Sequence, residues 1–326
     1  MRVLVTGASG MLGGETARAL LARGDDVTVL QRRPAGLACR QVLGDVADPA
    51  PVRRAVAGQD AVIHLAAKVD VVGPWSEYTR ANVDGSRTVV AACRSAGVGR
   101  LVHVSTPSVA HAGRPLAGVG AEPADPERAR GHYARSKALA ELDALAADST
   151  ELGVLCIRPH LVWGPGDTQL VDRIVSRARA GRLAVIGSGA ALIDTTYVDN
   201  AVAALLAAVH ADGHGEALVV SNGEPRPVVD ILSALCRAAG VPGPRGRVPV
   251  WTARAAATVI ERAWELLDRR DTPPLTPFLV EQLSTAHWFD QRHTRLVLDW
   301  RPQVSLDEGF RQLARWYGGR HPTRRQ

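Results

Sequence analysis

The chain has 326 residues, 46 % hydrophobic and 22 % charged, with a formal net charge of +6 at pH 7. That balance excludes a disordered chain and is enough to bury a core as one large unit or two lobes sharing an interface. Cys39, Cys93, Cys156 and Cys236 stand far apart with no Cys-x-x-Cys pair, so reduced thiols and no metal site are expected.

The opening, Arg2 to Thr6, reads as an apolar strand rather than a signal peptide, which points to a cytoplasmic protein. Gly7-Ala-Ser9-Gly10-Met11-Leu12-Gly13 follows, then an amphipathic run to Arg23. Strand, glycine turn and helix is the arrangement that offers backbone N–H groups to a pyrophosphate. A second strand, Asp26 to Gln31, ends in Gln31-Arg32-Arg33, where an NAD-binding unit usually carries an acid for the ribose 2′-hydroxyl. Two guanidinium groups suit the 2′-phosphate instead, so NADP(H) is expected over NAD(H), which stays possible.

The alternation continues with a strand near Arg40 to Leu43, an adenine contact expected at Asp45-Val46, and a helix from about Ala50 to Ala57. The strand Ala61 to Leu65 opens into Ala66-Ala67-Lys68, and a helix then carries Asn82. The strand Leu101 to Val104 meets Ser105-Thr106-Pro107-Ser108 before a helix bearing Tyr133 and Lys137. Strands separated by helices imply a doubly wound parallel sheet, an α/β (Rossmann) fold whose sites gather at the carboxyl ends of its strands.

Tyr133-Ala-Arg-Ser-Lys137 is the stretch on which the functional reading turns. On a helix its phenol and ammonium share a face one turn apart. Of 39 basic residues only Lys68 and Lys137 are lysine, so lysine stands where a compact ammonium differs from a planar fork. Roughly 0.02 such Tyr–Lys spacings are expected by chance from this composition.

Beyond Val154 to Arg158, the turn Pro159-His160-Leu161-Val162-Trp163 lies near the expected nicotinamide, with His160 and Trp163 as candidate pocket walls. A helix from Leu170 to Ala180, a strand near Leu183 to Ile186, a return at Thr195 to Val198 with a helix Asn200 to Val209, and a strand Ala217 to Ser221 are expected. Residues 1–157 then form the dinucleotide-binding domain, to which the chain returns at about 195–222. Residues 158–326 form mainly a smaller substrate lobe. Its run from Trp251 to Leu267 is apolar at helical spacing but broken by charges, so a lid or wall is expected rather than membrane insertion. An amphipathic helix, Leu306 to Tyr317, precedes the basic cluster Arg320 to Arg325, which reads as a solvated tail, not a nucleic-acid stripe.

Together the glycine turn, His64-Leu-Ala-Ala67, Ser105-Thr-Pro-Ser-Val109, Tyr133 with Lys137, and Arg158-Pro159 with Gly164-Pro-Gly166 resemble the extended short-chain dehydrogenases/reductases over nearly the whole chain. Within them the likeness is to the 3β-hydroxysteroid dehydrogenase branch. The resemblance implies catalysis by Thr106, Tyr133 and Lys137, with Tyr133 as general acid or base, Lys137 lowering the phenol's pKa, and Ser105 the fallback for Thr106. It also implies cofactor contacts at Gly7, Ser9, Gly10, Met11, Leu12, Gly13, Arg32, Arg33, Asp45, Val46, Ala66, Ala67, Lys68, Asn82, Ser105, Tyr133, Lys137, Pro159 and Val162, and a homodimer built on the helices carrying Asn82 and Lys137. The position where the family's nucleotide-sugar enzymes carry a diphosphate-binding Arg is Ile193 here. An apolar ketone or secondary alcohol, a 3-oxo acid or a steroid-like ring, is therefore the expected substrate, and Lys68 is either a solvated loop lysine or the group that meets its carboxylate or carbonyl. A nucleotide-sugar epimerase or dehydratase with bound NAD is the alternative.

Overall fold

The computed structural model describes residues 1–69, 72–111, 113, 115–267, 269, 271 and 273–320, so the basic cluster past Arg320 lies outside them. The first half runs β1 (Arg2–Thr6), α1 (Met11–Ala22), β2 (Asp26–Gln31), β3 (Arg40–Leu43), α2 (Pro49–Val56), β4 (Ala61–His64), α3 (Trp75–Tyr78), a π-helical stretch (Thr79–Asp84) and α4 (Gly85–Ala96). There follow β5 (Arg100–Val104), a 3-10 turn (Pro107–Ala110), β6 (Leu116–Val119), α5 (Gly131–Leu145), β7 (Gly153–Pro159) and β8 (Val162–Trp163). Next come α6 (Val171–Arg179), β9 (Val185–Ile186), β10 (Leu192–Ile193), β11 (Thr196–Tyr197), α7 (Val198–His210), β12 (Glu216–Val220) and β13 (Arg226–Pro227). The chain closes with α8 (Val228–Ala238), β14 (Arg247–Val248), α9 (Val250–Leu266), α10 (Pro277–Ser284), β15 (His287–Phe289), α11 (Arg292–Leu298) and α12 (Leu306–Arg320).

Seven strands form one parallel sheet in the order β12-β7-β5-β4-β1-β2-β3. Because helices cover both faces, the central strands are apolar on both sides, and Val3, Leu4 and Val5 of β1 are all fully buried. Alternation then sorts them. Val3, Val5, Ile63 and Ile157 pack against Ala17 and Leu20 of α1 and Leu205 and Ala208 of α7. Leu4, Val62, Leu101 and Val154 pack against Val52 of α2, Val89 of α4 and Ala144 of α5. The fold is the doubly wound one that the alternation of elements predicts.

A second core collects Trp163, Ile174 and Val175 of α6, Leu232 and Leu235 of α8, and Phe310 and Leu313 of α12. Beside it lies a four-stranded sheet in the order β13-β10-β15-β6. Strands of two to four residues carry too little alternation to register in a sequence pattern, so β6, β13, β14 and β15 had no sequence signal. Of the strand expected over Leu183 to Ile186, Val185–Ile186 is extended. Helix α9 turns Ala253 and Ala257 inward against Ile186 and Val280, and leaves Trp251, Val259 and Leu266 exposed.

Burial has one titration consequence. It lowers His64 to about 3 and His287 to about 4, and pushes His103 and His160 well below the ordinary histidine value. The unfolded chain then binds more protons than the folded one as pH falls through about 6.5, and stability declines with it. At pH 5 His64 and His287 each contribute about 2 kcal/mol of that loss, and His103 and His160 act in the same direction. We expect cooperative unfolding near pH 5, followed by circular dichroism; a protein still folded at pH 4 would contradict the neutral-histidine assignment.

Candidate active site

The glycine turn sits at the carboxyl end of β1. Gly7 has φ +78°, and a Cβ there would lie 2.8 Å from the Ala66 nitrogen, while one on Gly13 would lie 2.4 Å from the Gly7 carbonyl oxygen. Those two glycines are fixed by the protein's own backbone. Gly10 differs, since a Cβ there would meet only the Gly7 oxygen at 3.5 Å. It caps α1 without a side-chain hydrogen bond, and the helix has no acid in its first turn. Backbone N–H groups are thus offered outward by Met11 and Leu12, with exposed Ser9 and Gly10 in front, the chemistry a pyrophosphate needs. Arg32 and Arg33 are exposed directly beyond β2, and the Gln31 side chain bonds Gln41 at 3.1 Å. Thr6 Oγ1 accepts from the backbone of Leu65 and Ala66 at 3.1 and 3.0 Å, tying the β4 exit to the turn. These residues fit a dinucleotide.

Asp45 spends its carboxylate on the Ala47 nitrogen at 2.9 Å and on Arg80 at 3.4 Å, and Val46 is buried beside Gly85. Asn82, expected among the cofactor contacts, is 1 % exposed and fully used by protein. Its Oδ1 accepts from the Lys68 nitrogen at 2.7 Å, and its Nδ2 donates to the Lys68 carbonyl at 3.1 Å and to Ser136 Oγ at 2.8 Å. It acts as a tie between the β4 exit and α5. The π-helical turn that carries it is a local feature no propensity would reveal.

Around Tyr133 the geometry is close. Its hydroxyl lies beside Thr106, the cap of the 3-10 turn after β5. Ser105 is 5 % exposed, and its hydroxyl has no protein partner. Burial pushes the Tyr133 phenol up to about 12, Thr106 acting in the other direction. This corrects the expectation of a lowered phenol: no lowering by Lys137 accompanies the rise. The Lys137 ammonium instead donates to the Val104 carbonyl at 2.6 Å and lies 3.5 Å from His103 Nε2. Burial lowers it to about 8, while Cys156 and Glu141 act to raise it.

Beneath this pair lie groups the sequence reading missed. His64 joins Thr6 Oγ1 at 2.8 Å to Ser86 Oγ at 3.1 Å. Glu141, one turn beyond Lys137, forms a buried ion pair with Arg158, whose Nε donates at 2.9 Å. The spacing from Lys137 to Glu141 was the available signal.

Pro159 ends β7 beside Val220, and Val162 lies in β8. Between them Leu161 has φ +44°, the left-handed region in a non-glycine residue, a conformation that costs on the order of 1 kcal/mol. Trp163 is core rather than pocket wall: it is fully buried, stacks on Phe310 at 4.6 Å and donates to Thr195 Oγ1 at 3.0 Å. His160 is likewise buried, edge-on to Phe289 at 5.0 Å and His287 at 5.5 Å. Trp163 is drawn into the second core because β8 pairs with β11, whereas His160 packs against β15. Lys68 is neither free nor solvated. Its Nζ pairs with Glu77 at 3.1 Å and stands 5.2 Å from the Tyr78 ring centre.

Residues 3–221 match the NAD dependent epimerase/dehydratase family. The chain belongs to that family. A 2-alkyl-3-oxoalkanoate reductase of Stenotrophomonas maltophilia is 43 % identical, over 96 % of this chain and 98 % of its own length. A sterol-4-alpha-carboxylate 3-dehydrogenase, decarboxylating, of Mus musculus is 29 % identical over 93 % and 87 %. Among solved structures, the dTDP-glucose 4,6-dehydratase of Streptomyces venezuelae with NAD bound is similar at TM-score 0.77 and 26 % identity, over 99 % of this chain and 98 % of that one. The likeness to the 3β-hydroxysteroid dehydrogenase branch of the extended short-chain enzymes holds. The chain is an NAD(P)-dependent oxidoreductase acting on hydroxyl or keto groups.

Keeping Lys137 charged and buried costs about 3 kcal/mol at neutral pH, the shift from 10.5 to about 8, partly offset by its bond to Val104. The folded pKa is the lower one, so this cost persists below about pH 8 and fades as pH rises toward 10.5. Lys137→Met is therefore expected to raise the thermal midpoint by a few degrees at pH 7, with the gain over wild type shrinking by pH 10. Calorimetry at the two pH values checks it; a destabilised variant at pH 7 would contradict it.

Proposed function

We propose that the chain is an NADP(H)-dependent reductase that converts a 3-oxo acid, or a ketone of similar apolar character, to the secondary alcohol in the cytoplasm. The observation that carries this reading is the Tyr133 hydroxyl, beside Thr106 and kept protonated by burial at the carboxyl end of the sheet. A phenol pushed up to about 12 holds its proton at neutral pH and is suited to donating it to a carbonyl oxygen. Thr106 orients that oxygen, with the Ser105 hydroxyl beside it at the end of β5.

The glycine turn from Gly7 to Gly13 would hold the pyrophosphate, Arg32 and Arg33 the 2′-phosphate, Asp45 and Val46 the adenine side, and Ala66, Ala67, Pro159 and Val162 the rest of the dinucleotide. When bound, the nicotinamide supplies the hydride. Lys137, whose charge is present below about pH 8, fixes a ribose hydroxyl. The preference for a 3-oxo acid draws on the relatives' names, in which a carboxyl group is carried by the carbon next to the one bearing the ketone or alcohol. Ile193, buried in β10, disfavours a sugar diphosphate. We further propose a homodimer packed on α4 and α5, and no stable membrane insertion, in keeping with the lack of any helix long and apolar enough to cross a membrane among the described residues.

A panel of 3-oxo acids and ketones, followed at the nicotinamide absorbance, tests the assignment. Turnover with NADPH is expected to fall by about 10³-fold in Tyr133→Phe, within the range for loss of a general acid, while NADPH binding persists. Purified protein arriving with stoichiometric NAD and inert toward ketones would favour an epimerase or dehydratase instead. Replacing Arg32 and Arg33 together by Ala should raise the KM for NADPH about tenfold or more with little change for NADH; equal changes for both cofactors would remove the NADP preference.

A further inference from the structure

Lys68 occupies an unusual position for a surface-loop lysine. The loop that it opens is fastened to the catalytic helix α5 at two points. At its start, Asn82 holds both the N–H and the C=O of Lys68, and the same amide donates to Ser136, whose hydroxyl donates to the Tyr133 carbonyl at 2.8 Å. At its far end, the Gly73 carbonyl meets His132 Nδ1 at 3.3 Å, one residue before Tyr133. Between these ties the Lys68 ammonium is mostly covered, its side chain 18 % exposed, while its partner Glu77 is 46 % exposed. Gly73 keeps the space around it, since a Cβ there would come within 3.3 Å of Nζ. The Lys68 backbone is thus at a fixed offset from the Tyr133 backbone, and Glu77, one partner of the ammonium, has one side in water.

Building on the 3-oxo acid reading above, we propose that Lys68 is the residue that binds the substrate carboxylate, exchanging Glu77 for it. The carboxyl carbon of a 3-oxo acid is two bonds from the carbonyl carbon, so a cation that recognises it has to be held at a set distance from the proton donor. The double tie through Asn82 and His132 does this. Carboxylate-for-carboxylate exchange replaces one ion pair by another, and Glu77 moves only into the solvent it already touches. A lysine suits the exchange because its point charge accepts a new partner from any direction, whereas a guanidinium fork locked on Glu77 would give up two aligned hydrogen bonds. The chain has 37 arginines and two lysines, and Lys137 is committed beneath the sheet, so Lys68 is the lysine available for this exchange.

The test compares a 3-oxo acid with its methyl ester, using NADPH. In Lys68→Met the ratio of kcat/KM for acid over ester is expected to fall about 30-fold, chiefly through the KM for the acid, as for loss of one charge-assisted hydrogen bond. In Glu77→Gln the competitor is removed, and the KM for the acid is expected to fall about threefold. Equal losses on acid and ester in Lys68→Met, a raised KM for NADPH in place of a changed ratio, or an unchanged ratio in both variants would each overturn the assignment while leaving the ketoreductase reading in place. A wild-type protein that reduces neither compound would remove the ketoreductase reading, and this inference with it.

Discussion

The Lys137 ammonium beneath the sheet edge is the constraint around which the rest of the site is arranged. It is almost wholly buried and is held by one short bond to the Val104 carbonyl. Burial lowers both His64 and His103, and the Lys137 charge adds to that lowering. The two rings are therefore neutral and serve as hydrogen-bonding spacers, His64 between Thr6 and Ser86, and His103 against the lysine itself. On its other side Glu141 supplies the compensating negative charge, and Arg158 anchors that carboxylate while donating to the Glu122 carbonyl at 2.7 Å. The buried ammonium and the neighbouring Arg158–Glu141 ion pair thus account for the polar side chains that β4, β5, β7 and α5 bring into an otherwise apolar layer.

The sequence disclosed those parts of the fold whose signal is local. The glycine turn was legible because Gly7 and Gly13 answer to backbone contacts within a few ångströms, and the parallel sheet because its strands are five or so residues of continuous apolar chain. Tyr133, Lys137 and Thr106 were legible as a spacing. Asn82 was singled out, but its bonds to Lys68 and Ser136 were not foreseen, since a motif shows that a buried amide matters and not which loop it ties. Trp163 was misread for a related reason: it lies two residues from a stretch at the site, and the two-residue pairing of β8 with β11 that swings it into the second core leaves no mark on the pattern. The second half was the least legible, because its strands are too short for alternation and are assembled from positions far apart in the chain.

The departure of Tyr133 from expectation bears on direction. A phenol near an ammonium would ordinarily be made more acidic, and the spacing on α5 invites that reading. The side chains divide otherwise: the lysine reaches down to the backbone of β5, and the phenol reaches across to Thr106. Burial then governs the phenol and holds its proton on. A buried neutral acid with a hydroxyl partner is built to protonate an oxygen that gains charge, whereas abstraction from an alcohol would begin by placing an uncompensated phenolate in the same apolar surroundings. The protein's own groups thus place a proton where a carbonyl oxygen would need one, and by microscopic reversibility the same phenol takes the proton back when an alcohol is oxidised.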